Sequence, residues 1–163
     1  MRRIVLTAVA VLHLLLLDAV TKELAVARLK GSAACSVIDG FFNLAYVENF
    51  GCAWGMFQGH VWPLAVFALA ALAAIAWKRR ELFLMDAARG LRRTGAVAEA
   101  LLYAGILGNL IDRLFRGRVI DFLDFHWGEA YHFPCFNAAD VYISVAAGLL
   151  VLLSFLAPAK AKS

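Results

Sequence analysis

The sequence predicts an α-helical integral membrane protein with four transmembrane helices and a small extracytoplasmic β-rich cradle. Of its 163 residues, 63% are hydrophobic and only 17% are charged, whereas soluble domains are about 45–50% apolar and about 25% charged. The mean hydropathy is +0.76. Four apolar stretches are each close to the length that crosses a bilayer as a helix. This composition fits a soluble enzyme poorly and excludes a disordered chain.

The predicted spans cover residues 4–29, 61–77, 95–115 and 138–156, and we expect a single membrane domain over residues 1–163. A cleaved signal peptide is the alternative for the first span, because Arg2 and Arg3 precede an apolar run. Three further spans follow, however, and no convincing cleavage site is present.

The distribution of basic residues predicts the orientation of the spans. Ten of the 16 lysine and arginine residues lie before span one, between spans two and three, or after span four: Arg2, Arg3, Lys78, Arg79, Arg80, Arg89, Arg92, Arg93, Lys160 and Lys162. The positive-inside rule therefore places both termini and the loop 78–94 in the cytoplasm, and the segments 30–60 and 116–137 outside. Because the cations form no single patch, no nucleic-acid partner is predicted.

The two outer segments differ from the spans. Residues 37–47 have the pattern of two short strands around a glycine turn. The aromatic residues of 116–135 suit a membrane interface. Cys35 and Cys52 both fall in the first outer segment, so a disulfide between them is possible, and the sequence leaves this open.

Polar residues recur on one face of spans one and three. Asp18 and Lys22 are four residues apart, which suits either a self-neutralising ion pair or part of a site. On span three the residues on one side are spaced three and four apart, which suits either polar contacts between helices or a site. They are Gly105, Gly108, Asn109, Asp112, Arg113 and Arg116.

Two carboxylates are the candidates for chemistry. Asp121 follows span three and Asp140 begins span four, so a short outer loop brings them near each other. Two close carboxylates share one proton, the arrangement that activates water for peptide hydrolysis. Alternatively, Asp140 only caps the helix that begins at Asn137, and Asp124 competes with Asp121 for the catalytic role. Cys52 is a possible nucleophile without an evident histidine partner, and no cluster has metal-ligand spacing, so no metal is expected.

Five motifs in this order resemble the signal peptidase II (lipoprotein signal peptidase) family of bacterial membrane aspartic proteases. They are Asp18 with Thr21-Lys22, residues 49–55 (Asn-Phe-Gly-Cys-Ala-Trp-Gly), residues 105–114 (Gly-Ile-Leu-Gly-Asn-Leu-Ile-Asp-Arg-Leu), residues 117–122 (Gly-Arg-Val-Ile-Asp-Phe) and residues 136–140 (Phe-Asn-Ala-Ala-Asp). The resemblance implies that Asp121 and Asp140 are catalytic. The residues expected to support the site or bind substrate are Asp18, Lys22, Asn49, Gly51, Gly108, Asn109, Asp112, Arg113 and Asn137.

The resemblance also implies a substrate, a location and an inhibitor. The substrate would be a prolipoprotein whose cysteine carries diacylglyceryl, cut just before that cysteine at the outer face of the bacterial cytoplasmic (inner) membrane. Membrane lipids are expected partners, globomycin an inhibitor, and no cofactor is needed. Family members often have Ala and Phe where this chain has Cys52 and Trp54, and a glycine pair where it has Ala104-Gly105. The first two departures could reshape the substrate groove.

Two other functions remain open on the residues alone. A small transporter or channel requires carboxylates at mid-membrane depth, but those of this chain cluster near one face, and span two has no polar residue. An assembly subunit whose polar residues only hold helices together would tolerate conservative Asp→Asn changes.

Overall fold

The computed structural model describes residues 2–52, 56–85, 87–128 and 130–157. These residues form four helices and four short strands, in the order α1 (Arg2–Leu29), β1 (Cys35–Ile38), β2 (Phe42–Asn49), α2 (Val61–Leu82), α3 (Arg89–Arg116), β3 (Val119–Trp127), β4 (Tyr131–His132) and α4 (Ala138–Leu156). All four helices are long and apolar enough to cross a membrane. The predicted fold class is therefore confirmed.

Helices α2 and α3 both extend beyond the predicted apolar spans. The first continues through its basic end to Leu82, and the second starts at Arg89. Lysine, arginine and glutamate are good helix formers, so the loss of hydropathy ends the span without ending the helix. The connection between them is held by Phe83, which is fully buried against Ala98, Leu102 and Ala146.

Helix α3 lies at the centre of the bundle and packs against α1, α2 and α4. Small residues make this close packing possible. A methyl group at Gly105 would lie 2.5 Å from the carbonyl oxygen of Ala139, and one at Gly108 would lie 2.6 Å from Oδ2 of Asp18. These glycines let α4 and α1 approach the backbone of α3.

The outer faces of the helices are apolar and exposed. Leu12 on α1, Phe67 on α2 and Phe155 on α4 are examples, with Phe155 82% exposed. Polar and charged side chains such as Asp18, Lys22 and Asn109 are buried instead. This distribution, apolar outside and polar inside, is what a lipid environment requires.

A four-stranded antiparallel sheet in the order β1-β2-β3-β4 lies at one end of the bundle. Strands β1 and β2 flank Gly40, whose positive φ of 69° forms the turn that the sequence predicts. Strands β3 and β4 were not anticipated: Asp121, expected in a loop, lies in β3 opposite Val47. Phe125 on β3, one of the aromatic residues predicted to suit a membrane interface, stacks on the ring of Phe42 on the neighbouring strand β2.

A buried carboxylate ties together the basic end of the bundle. Glu99 of α3 accepts a hydrogen bond from Arg3 at 3.2 Å and pairs with Arg79 of α2. The starts of α1 and α3 and the end of α2 therefore lie at one end, opposite Asp121. The three cysteines, Cys35, Cys52 and Cys135, form no disulfide.

Candidate active site

A cavity of about 1260 Å³ opens between α2, α3, α4 and the sheet. Most of its wall is apolar, with Leu64, Phe67, Ile106 and Val145 among the lining residues. Its polar groups include five of the predicted site residues: Asn49, Asn109, Arg113, Asp121 and Asp140. An apolar cavity with a few converging polar groups is the usual form of a substrate site.

Strand β3 places Asp121 in this cavity wall. The carboxylate is 1% exposed. Its Oδ2 accepts a hydrogen bond of 2.9 Å from the Asn49 side chain, and its Oδ1 accepts one of 2.6 Å from the Asn137 side chain. Burial, followed by the negative charge of Asp140, raises the pKa of Asp121 to about 6, although both amide donors act to lower it.

Asp140 lies in the first turn of α4. Its Oδ1 accepts a 2.8 Å hydrogen bond from the Asn109 side chain, and its Oδ2 accepts one of 3.2 Å from the backbone N–H of Asn137. Asn137 in turn accepts from the Asp140 backbone N–H, which completes the predicted capping box. Two donors and the helix N-terminus thus stabilise a negative charge on Asp140.

Asn137 joins the two carboxylates. Its side-chain amide donates both to Oδ1 of Asp121 and to the side-chain oxygen of Asn109, the latter at 3.2 Å. Its own side-chain oxygen is taken by the Asp140 backbone. Because the oxygen and the NH₂ group of this fully buried amide are both hydrogen-bonded, the position of one carboxylate relative to the other is fixed.

A buried lysine lies behind Asn109. The ammonium group of Lys22 is 2.8 Å from Asp18, 2.9 Å from Asp112 and 3.1 Å from the side-chain oxygen of Asn109. Because a lysine only donates, it fixes the Asn109 oxygen toward itself and the Asn109 NH₂ toward Asp140. Asp18 also accepts a 3.0 Å hydrogen bond from the Ala139 backbone N–H, which ties α1 to the start of α4.

Arg113 organises the other side of the site. Its guanidinium donates at 2.9 Å to the carbonyl oxygen of Gly51, and the Gly51 N–H donates to the side-chain oxygen of Asn49. Asn49 is thereby oriented to donate toward Asp121. At Gly51 a side chain would collide with the carbonyl oxygen of Met56, so this turn requires glycine.

The sequence-predicted residues thus divide into two groups. Around Asp121 and Asp140, the side chains of Asn49, Asn109 and Asn137 donate directly to the two carboxylates, and Arg113 lines the same cavity. Asp18, Lys22, Asp112, Gly108 and Gly51 stand behind them and position them. Cys52 lines the cavity, whereas Trp54 lies outside the described residues.

Two features were missed from the sequence. Cys135 lines the cavity beside the carboxylates, and burial raises the pKa of its thiol to about 12, so the thiol is protonated at neutral pH. Asp124, His126 and His132 come together on the sheet, although their spacing resembles no metal motif. The one sequence signal for this cluster is the two-residue spacing of Asp124 and His126, which puts both side chains on the same face of a strand.

Comparisons with known proteins show similarity in sequence and in fold. The model of the Peptidase_A8 family, signal peptidase (SPase) II, matches residues 10–156. The chain is 41% identical to a lipoprotein signal peptidase of Symbiobacterium thermophilum over 152 residues, 93% of each chain, and 38% identical to that of Bacillus pumilus over 90% of each. A solved bacterial membrane enzyme, determined by the in meso method at 2.3 Å, has a TM-score of 0.75 and 30% identity and covers 96% of this chain; the match spans 93% of that structure.

Proposed function

This chain belongs to the signal peptidase II family, and from that premise we propose that Asp121 and Asp140 are its catalytic pair. The protein is an aspartic endopeptidase of the bacterial membrane that removes signal peptides from prolipoproteins. One observation carries the assignment of the pair. Two carboxylates, buried Asp121 on β3 and half-buried Asp140 on α4, are joined through Asn137 at the wall of a cavity of about 1260 Å³.

The proposed reaction uses one proton shared by the two carboxylates. Charged Asp140 takes a proton from a water molecule while the water oxygen attacks the scissile carbonyl carbon. Neutral Asp121 donates a proton to the carbonyl oxygen. The tetrahedral gem-diol intermediate then collapses: Asp140 gives its proton to the leaving amine nitrogen, the C–N bond breaks, and Asp121 takes back a proton from a hydroxyl group of the gem-diol as the product carboxyl forms. The raised pKa of Asp121 and the two donors on Asp140 support this division of roles.

We propose that the substrate enters from the lipid with its diacylglyceryl group attached and is cut just before the lipidated cysteine. The apolar wall of the cavity, including Phe67 and Val145, suits a signal-peptide helix and acyl chains. The β1–β2 hairpin and the loop that begins at Asn49 would cover the scissile bond and exclude water from all but the reacting molecule. Globomycin, by the family resemblance, would compete for this cavity.

Lipidation is therefore expected to come before cleavage. The purified enzyme should cut a diacylglyceryl-modified prolipoprotein far faster than the same precursor with an unmodified cysteine, because the acyl chains hold the bond at the height of the carboxylates. Initial rates measured on the matched pair in mixed micelles test this. Equal rates would refute lipid anchoring while leaving the peptidase assignment intact.

We propose that both termini face the cytoplasm and that the catalytic pair lies at the outer face. The clustering of Arg3, Arg79 and Glu99 at the end opposite Asp121 supports this orientation. Lys160 and Lys162, which contributed to the predicted orientation, lie outside the described residues. Reporter fusions after residue 162 and near Arg89 should read cytoplasmic, and one near Gly31 should read external. A cytoplasmic signal at Gly31 would reverse the topology.

The pH dependence of kcat/KM should be bell-shaped. Toward low pH, Asp140 gains a proton and loses its function as a base. Toward high pH, Asp121 loses the proton it must donate, and its raised pKa places this decline near pH 6 in the free enzyme. Asn49→Ala removes a donor that favours ionised Asp121, so the alkaline limb should move to higher pH. A limb that moves to lower pH would contradict the assigned proton.

A further inference from the structure

Three potential metal ligands, which we call the β3–β4 cluster, meet on the outer sheet: Asp124, His126 and His132. Asp124 and His126 are two residues apart on β3, so their side chains share one face. His132 of β4 lies directly opposite His126 in the antiparallel register, and the two imidazole rings stack with centroids 5.1 Å apart. The cluster thus depends on strand pairing.

The ligand atoms of the cluster have separations close to those of a metal site. Nδ1 of His132 is 3.5 Å from Oδ1 of Asp124, and all three ligand atoms lie within 4.8 Å of one another. Ligand atoms around a tetrahedral zinc ion, at bond lengths of about 2.0–2.2 Å, are about 3.3–3.5 Å apart. Because His132 is exposed, a rotation of its side chain can bring its ring nitrogen closer to the ligand atoms of Asp124 and His126.

His126 provides an independent indication of a ligand. Its side chain is 9% exposed, and its buried Nδ1 has no hydrogen-bond partner among the described residues. Oδ2 of Asp124 is 4.0 Å away, which is too far for a hydrogen bond. Buried polar atoms in native proteins nearly always have a partner, and this nitrogen lies beside the Asp124 carboxylate of the cluster.

We propose that Asp124, His126 and His132 bind one Zn²⁺ ion. Two imidazoles and a carboxylate are a donor set that zinc sites use, with a water molecule as the fourth ligand on the exposed side of His132. Asn43 donates a 3.3 Å hydrogen bond to Oδ2 of Asp124, the kind of outer contact that orients a ligating carboxylate.

The position of the ion gives it a structural role beside the substrate cavity. It would join β3 to β4, and the chain continues from His132 directly into Phe133 and Pro134, which line that cavity. Strand β3 also carries Asp121 on its other face, three residues before Asp124. The bound ion would thus hold the rim of the cavity, without itself touching the carboxylate pair.

Metal titration of the purified full-length protein, freed of any histidine tag and treated with a chelator, tests the proposal. Wild type should bind one equivalent of Zn²⁺ and unfold at a higher temperature when it is bound. Co²⁺ should bind at the same site without thiolate-to-metal absorption, which excludes the three cysteines. His132→Ala and Asp124→Asn should each weaken Zn²⁺ binding by about 100-fold or more, since even outer contacts contribute about 10–100-fold.

Matched variants distinguish this site from other zinc ligands. His13→Ala, on α1, and Asp39→Asn, in the exposed turn between β1 and β2, should bind Zn²⁺ as wild type does, and so should Asp140→Asn. The metal-free unfolding temperature of each variant reports whether its fold is intact. Absence of stoichiometric binding by wild type, or unchanged binding by His132→Ala, would overturn the proposal.

Discussion

Asp121→Asn and Asp140→Asn are each expected to abolish removal of the signal peptide, by about 10²–10⁴-fold or more, the usual contribution of a general acid or base. Asparagine keeps the size of the side chain and many of its hydrogen bonds but can neither take nor give the proton. Cleavage of a lipidated prolipoprotein by each purified variant measures the effect. Because the two residues act as a unit, the double variant should be no worse than either single one.

The choice of carboxylates is tested by the other aspartates of the sheet. Asp39→Asn, in an exposed turn, is the matched control and should cleave as wild type does. Asp124→Asn, assayed with a chelator present so that metal binding is not a variable, should lower the rate far less than Asp121→Asn. An inactive Asp124→Asn beside an active Asp121→Asn would move the catalytic role to Asp124. An infrared titration that placed the proton on Asp140 would refute the assigned roles but not the pair.

Lys22→Met is expected to cause the largest loss of stability among single changes that spare the catalytic pair. Lys22 is 1% exposed and touches Asp18, Asp112 and Asn109. Without it, the buried carboxylate of Asp18 loses its cation partner, whereas Asp112 keeps Arg116 at 2.9 Å. Breaking a buried ion pair in this way typically costs about 3–5 kcal/mol. Thermal unfolding in detergent should show the loss, and turnover of the remaining folded enzyme should fall because Asn109 is no longer held toward Asp140.

Two comparisons make the Lys22 prediction specific. Lys30→Met removes an exposed lysine that pairs with Glu48 at 3.6 Å, and such an exposed pair contributes little to stability. Adding Asp18→Asn to Lys22→Met removes the carboxylate charge that has lost its cation and should restore part of the stability. A Lys22→Met protein that unfolds and cleaves as wild type does would show that the buried lysine does not organise the site.

Local patterns in the chain were sufficient to predict the helices and much of the site. Hydropathy over about 20 residues identifies a span, and four such runs led to the four observed helices. Spacings of three and four on one helix face brought Asn109 and Asp112 to the same side. The capping pattern from Asn137 to Asp140 was equally readable, because the interacting groups lie within four residues.

The tertiary structure alone decided the contacts between distant segments. Hydropathy could not show that β3 would add to the hairpin, because strand pairing depends on register with β2, far away in the sequence. It could not show that Lys22 reaches Asn109, that Arg3 and Arg79 share Glu99, or that His132 lies opposite His126. Each of these contacts joins side chains brought together by packing of whole elements, and local sequence carries no signal of which elements will pack.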